Sequence, residues 1–182
     1  ANVGGGSWSG TGVSGSSFYP ATAGVGTHTI TYNLNGCTAT QQITVSAPGN
    51  PAAWGINSWN VNAYNGSNFN TYYGYYNVNS LNINTQNQWS NLGSPSDAAG
   101  YQGCTVPVDN HSYKIRRQGF PCGIYNIAIM HDDNYVLTIN GTQVGTGTCC
   151  TNTLTNVATG VWLNGSSTIE LTIEEGGGNS FG

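Results

Sequence analysis

Residues 124–144, IYNIAIMHDDNYVLTINGTQV, constrain the fold more than any other stretch of the chain. Tyr125, Ile127 and Ile129 alternate with Asn126 and Ala128, and Tyr135, Leu137 and Ile139 alternate with Val136 and Thr138. Alternation at period two marks half-buried β-strands. Asn140-Gly141 supplies the positive φ angles of a two-residue hairpin turn. Between the two runs lie His131, Asp132 and Asp133. Two adjacent carboxylates at a strand end repel each other unless a cation compensates them. The stretch therefore predicts a β-sheet protein with a charged turn at one end of its sheets.

The pattern repeats elsewhere. Ile169, Leu171 and Ile173 alternate within Thr168–Glu174, and Trp59, Val61 and Ala63 alternate within Trp54–Tyr64. Thr27, Thr29 and Thr31 alternate with His28, Ile30 and Tyr32. Further strands are expected at Ser7–Ser9, Ser17–Tyr19, Thr38–Ser46, Asn70–Ser80, Cys104–Val108, His111–Arg116 and Val161–Leu163. A turn at Asn164-Gly165 makes the last of these a hairpin with Thr168–Glu174. Asn84–Gly103 reads as a long polar loop with a single helical turn at Ser94-Pro95-Ser96-Asp97. Pro48-Gly49-Asn50-Pro51 is the clearest linker. It divides the chain into residues 1–47, a linker at 48–52, and residues 53–182.

Composition narrows the functions. Only 5% of the 182 residues are charged, and the net charge is −4, so a basic nucleic-acid face is not expected. No apolar run reaches the ~20 residues of a membrane-spanning helix. The chain carries no initiator Met and no signal peptide, which reads as a processed or excised chain. Five cysteines in a Gly- and Asn-rich chain predict an oxidising, extracellular setting. Of the pairings open to Cys104, Cys122, Cys149 and Cys150, a bond between the neighbours Cys149 and Cys150 would be strained. Each is therefore expected to reach Cys104 or Cys122. A zinc site is the rival, without Cys-x-x-Cys spacing to support it. Cys37 is left over, as a buried thiol or with a partner outside the chain.

Several other groups have two readings. Lys114, Arg116 and Arg117 suit a small anion, but cross-strand pairing with Glu170, Glu174 or Glu175 is the better expectation. Tyr72, Tyr73, Tyr75 and Tyr76 suit sugar stacking, but packing within a strand is favoured. Asn65, Asn110, Asn140 and Asn164 begin Asn-x-Ser/Thr acceptor sequons. Turn chemistry is the favoured reading for Asn140 and Asn164 unless the source adds N-glycans. No nucleophile elbow, Cys-His pair, phosphate loop or paired glycosidase carboxylates are seen, so an enzyme is not expected. The acidic pair suits Ca²⁺, which takes 6–8 oxygen ligands. The Gly-rich terminal loop offers backbone oxygens and the amide of Asn179.

Two resemblances add to this reading. GGGSWSGTGVSGSSFYPATAGVGTHTITYNLNGCTATQQITV resembles the immunoglobulin-like repeats of giant bacterial surface adhesins. The resemblance implies that a strand lies upstream, carrying a Cys that pairs with Cys37. HDDNYVLTINGTQV followed by VWLNGSSTIELTIEEGGGNS resembles the C-terminal half of the anthrax-protective-antigen-type β-sandwich found in flocculin-like lectins. That likeness implies a cis peptide between Asp132 and Asp133, Ca²⁺ held by both, and a terminal loop with Gly177 and Asn179 that completes the site. Asp132, Asp133 and Asn179 would then touch a sugar. The expected fold class is all-β: a small incomplete immunoglobulin-like sandwich, then a larger protective-antigen-type sandwich. Expected partners are copies of the chain in a head-to-tail surface filament, with surface glycans as the alternative, through a Ca²⁺-dependent lectin module.

Overall fold

A computed structural model describes residues 5–89, 93–178 and 180–182. The chain is all-β. The first strands are β1 (Ser7–Ser9), β2 (Val13–Ser14) and β3 (Ser17–Phe18), followed by one helical turn, α1 (Pro20–Ala23). Strands β4 (Gly26–Leu34) and β5 (Cys37–Val45) form a hairpin, and β1 joins it in the order β1-β4-β5. Asn35 and Gly36 take the positive φ values that the hairpin's two-residue turn requires. The turn α1 was not expected from the sequence; Pro20 at its start supplies a preset φ.

This small sheet has almost no core of its own. Among residues 5–47 only Gly24 and Ile30 are buried. Its residues sort by register into a polar and a partly apolar face. His28 lies opposite Ile43, Ile30 opposite Gln41 and Tyr32 opposite Ala39, while Thr27, Thr29 and Thr31 lie opposite Thr44, Gln42 and Thr40. Trp8 packs against Tyr32 with ring centres 4.7 Å apart and tilted by 46°, yet stays 47% exposed.

The larger part begins with β6 (Gly55–Ile56), β7 (Trp59–Asn65) and β8 (Thr71–Val78). Next come β9 (Gln102–Gly103), β10 (His111–Gln118), β11 (Gly123–His131) and β12 (Asn134–Ile139). It closes with β13 (Thr142–Gly147), β14 (Thr151–Leu163) and β15 (Thr168–Glu175). Eight of them form one sheet in the order β13-β12-β15-β10-β7-β8-β9, with β6 added in parallel to the end of β10. The other two, β11 and β14, pair with each other and lie across its inner face. The arrangement is sandwich-like. Val61, Tyr113, Ile115, Leu137 and Ile173 from the large sheet are at most 1% exposed, and Ile129 and Leu163 meet them from the other layer.

Local expectations and tertiary pairing part company in four places. Asn140 and Gly141 do close the β12–β13 hairpin with positive φ. The run at Val161–Leu163, however, belongs to a thirteen-residue strand. That strand is no hairpin partner of β15: β14 pairs with β11, whereas β15 lies between β12 and β10. The turn between them, with Ser166 N–H on Asn164 Oδ1, carries the chain from one layer to the other. Cys104–Val108 is not a strand, the short strand there being Gln102–Gly103. The loop at 84–103 holds two 3₁₀ turns, Thr85–Asn87 and Pro95–Asp97, instead of one.

The outer face of β7 is also covered. Asn62 donates to Asn60 Oδ1 at 2.6 Å, and Asn60 donates to Asn77 Oδ1 at 3.0 Å. The 48–52 segment lies over this face instead of hanging free. Arg116 Nη1 donates to Pro51 O at 2.7 Å, and its guanidinium sits over Trp54. A Cβ on Gly49 would stand 2.7 Å from the Tyr75 ring, so that position accepts only glycine without a shift.

Candidate functional site

The crossing from β11 to β12 passes through Asp132 and Asp133, joined by the cis peptide bond expected above. Asp132 forms a two-way backbone bridge with Phe181, N–H to O at 3.0 Å and the reverse at 3.3 Å, which brings the chain's last residues against the turn. Asp133 Oδ2 accepts the Gly176 N–H at 2.8 Å, and Asp109 Oδ1 accepts the Gly178 N–H at 3.0 Å. The Gly-rich loop is therefore pinned by two carboxylates. It adopts this path because glycines there leave the backbone amides open to close approach.

Glu175, the last residue of β15, projects into the same place. One oxygen each from Asp132, Asp133 and Glu175 lies within 4.8 Å of the others. Glu175 is fully buried, and among the described residues neither of its carboxylate oxygens has a hydrogen bond of normal geometry. Burial pushes its carboxyl up to about 7, with Asp133, Asp132 and Asp109 adding to the rise and the Gly177 backbone opposing it. Asp132 is also raised, chiefly by burial. Three carboxylates this close repel each other, and a buried one with so little hydrogen bonding is costly. A hard divalent cation would remove both costs, because carboxylate oxygens are its preferred ligands.

Glu175 was the residue that strand reasoning left out, having been considered only as a partner for a basic side chain. The signal was present: Ile169, Leu171 and Ile173 point inward, so Glu175 occupies the next inward position of the same strand. Of the other expected ligands, Gly177 lies in the pinned loop, next to Asp109. Asn179 lies outside the described residues. His131 serves as scaffold, its Nδ1 2.6 Å from the Asp133 carbonyl oxygen and its ring 4.4 Å from that of Tyr135.

The expected disulfides are absent; all five cysteines are free. Cys104 is buried at the β9 end of the large sheet, its thiol 3.8 Å from the Pro20 carbonyl. Cys122 is exposed ahead of β11. Cys149 and Cys150 instead stand together beside Asp133, with sulfurs 2.7 Å apart and Cys150 Sγ 3.8 Å from Asp133 Oδ1. The physical reason is the layering: the β13–β14 connection brings the pair to the acidic turn, whereas Cys104 sits under α1 on another edge. Cys37 is exposed and not the buried thiol that was one of its two readings.

The remaining groups make the following contacts. Arg116 forms an ion pair with Glu170 across the β10–β15 ladder. Arg117 donates to Gly119 O at 2.9 Å and lies over Trp59 and Phe120, and Lys114 lies over Phe69. Tyr76 is buried and bonded to Trp89, and Tyr64 and Tyr72 pack edge to face. Asn140 Oδ1 caps the Thr168 N–H at 2.9 Å, and Asn164 Oδ1 accepts from Ser166, so both amides are engaged in turns. Asn65 donates to the Tyr73 hydroxyl, and Asn110 is exposed with positive φ. Among family models, curated proteins and solved structures, none matches this chain.

Proposed function

We propose that this chain is a non-enzymatic, extracellular structural module that assembles head to tail with copies of itself in a surface fibre and is stabilised by Ca²⁺. The observation that carries the reading is the small sheet, in which Ile30 is the one buried apolar side chain among residues 5–47. Three strands with so little burial do not offset the entropy of ordering the chain. A neighbouring molecule that covers them supplies the missing contacts. The carboxylates of Asp132, Asp133 and Glu175 support the calcium part. Bound metal would tie the end of β11 to the end of β15 and to the terminal loop, bracing the module lengthwise.

Sedimentation of the intact chain, with electron microscopy of the same sample, tests this reading. Concentration-dependent linear oligomers are expected. A monomer at all concentrations, with the small sheet folded, overturns it. A second reading is Ca²⁺-dependent glycan binding, favoured by the partial exposure of Asp132 and Asp133 at the rim of the acidic cluster. Glycan-array binding that a chelator abolishes would support it.

A further inference from the structure

Among the described residues, the strands of the layer that covers the large sheet are β11 and β14. One edge of β11 is paired with β14, and among the described residues no strand pairs with the other. Alongside that edge runs a groove of about 570 Å³. Its wall on one side is Tyr125 through Met130, six residues in succession. A strand shows alternate residues when it presents a face and successive residues when it presents its edge. The groove therefore follows the open hydrogen-bonding edge of β11. Leu81–Asn84 also line the groove, as do Leu154 and Leu163 of β14, and Ile115, Leu137 and Leu171 contribute the apolar inner face of the large sheet. Among the described residues no charged side chain lines it. Tyr125 and Ile127 point inward but are only half-buried, whereas Ile129 on the same face is 6% exposed. The space has the position of an absent strand.

The same chain carries a matching edge. β5 is nine residues long, as is β11. It is the outer strand of β1-β4-β5, so among the described residues one of its edges also has no partner. It contains no charge, no proline and no bulge, the usual devices that keep an edge strand from pairing. Ala39, Ile43 and Val45 share one face, and Thr38, Thr40 and Thr44 share the other. The small sheet is held at another edge of its own large sheet: Thr105 N–H reaches Ala21 O, and the Cys104 thiol reaches Pro20 O.

We propose that β5 of a second copy pairs with the open edge of β11 and turns its apolar face into the groove. The covering layer would then run β14-β11-β5-β4-β1 across two molecules. One contact would satisfy two incomplete structures, the groove of one copy and the coreless sheet of the next. The two surfaces differ, so the contact is heterologous and its repetition gives an open filament. The inference rests on the head-to-tail reading above and names its donor and acceptor.

Backbone hydrogen exchange on the intact chain, in assembled and dilute samples, tests the pairing. Amides of Gly123–His131 and Cys37–Val45 should both slow on assembly. Cysteines introduced at Thr40 and Asn126 on separately isotope-labelled copies should cross-link between molecules. The double variant Gln41→Lys/Ile43→Lys should shift the sedimenting species to monomer while the large sheet keeps its exchange protection. Oligomers with unchanged exchange in β11 and cross-links elsewhere would overturn this pairing and leave the assembly reading standing. A chain that never assembles would overturn both.

Discussion

Glu175 sits directly opposite His111 across the β10–β15 ladder, and both side chains are fully buried. Their ionisations act in opposite directions. Burial raises Glu175 to about 7, from 4.5 in the unfolded chain. With metal absent, the unfolded state loses its proton first, so stability falls as pH rises from about 4.5 to about 7 and then levels off. The ceiling on this cost is about 3 kcal/mol. Glu175→Gln keeps the shape and removes the charge. In a chelator at pH 8, this variant should melt higher than the parent, and at pH 4 the two should coincide. Melting curves at both values check it.

His111 gives the acid limb. Burial lowers it to about 4, against 6.5 unfolded, while the Val108 and Pro107 backbone and the Asp109 carboxylate oppose the shift. The unfolded state takes up a proton that the folded state refuses. Stability is therefore full above pH ~6.5 and is lost as pH falls toward about 4. The loss should reach at most about 3 kcal/mol. Chemical denaturation of His111→Gln between pH 4 and 7 should show a flatter profile than the parent. An unchanged slope would mean that another group carries the acid sensitivity.

Calcium should bind at Asp132, Asp133 and Glu175. Calorimetry of chelator-treated chain should show one binding event that Asp133→Ala removes. At a hundredfold excess over Kd, a ligand of the folded state alone adds about 2.7 kcal/mol. The melting temperature should rise accordingly in the parent and stay fixed in Glu175→Gln. Protons compete for Glu175, so affinity should weaken as pH drops below about 7. Binding of equal strength in Asp133→Ala would reject the site.

These residues also show what was legible beforehand. Asp132 and Asp133 stood out because they are adjacent charges in a nearly uncharged chain. Glu175 was written into its strand's alternation, but reading it needed the knowledge that this strand ends at the acidic turn. That is a tertiary fact. The strands with clean alternation, β4, β12 and β15, were all legible in the sequence. β14 was not, because its ladder with β11 breaks register between Tyr125 and Ile127 and again around Ala128 and His131. Such irregularities erase the period-two signal. The Asn164-Gly165 turn looked like a hairpin because local chemistry is the same whether the next strand pairs back or crosses to another layer. Cysteine pairing failed for a similar reason: spacing along the chain says nothing about which edge each thiol reaches.

The thiols should differ sharply in reactivity. Cys104 is 4% exposed, and burial raises its pKa, so little thiolate forms. Cys37 and Cys122 are exposed. Brief alkylation of the native chain followed by peptide mass mapping should label Cys37 and Cys122 first and Cys104 only after denaturation. The same map should find no bond from Cys104 or Cys122 to Cys149 or Cys150.

Ile173 and Ile124 separate packing within the chain from packing that awaits a neighbour. Both lie in alternating strands, but Ile173 falls in phase with Ile169 and Leu171, whereas Ile124 falls in phase with Asn126 and Ala128, on the face opposite Tyr125, Ile127 and Ile129. Ile173 is 0% exposed, in the middle of a ladder flanked by Tyr113 and Tyr135. Ile124 is 72% exposed, on the outer face of β11 opposite Trp162, which is itself 60% exposed. Truncating a buried isoleucine removes its transfer free energy and leaves a cavity, a loss of about 2–5 kcal/mol. An exposed side chain changes stability by roughly 0.5 kcal/mol or less. Urea denaturation of Ile173→Ala should therefore give a midpoint well below the parent's, and Ile124→Ala should match the parent in dilute solution. In assembled samples the second comparison becomes informative. If Ile124 and Trp162 stay on the outside of the extended layer, Ile124→Ala should leave the dissociation of oligomers unchanged as well. Dissociation at lower urea in that variant would place a neighbouring molecule over this outer face, in addition to the edge of β11.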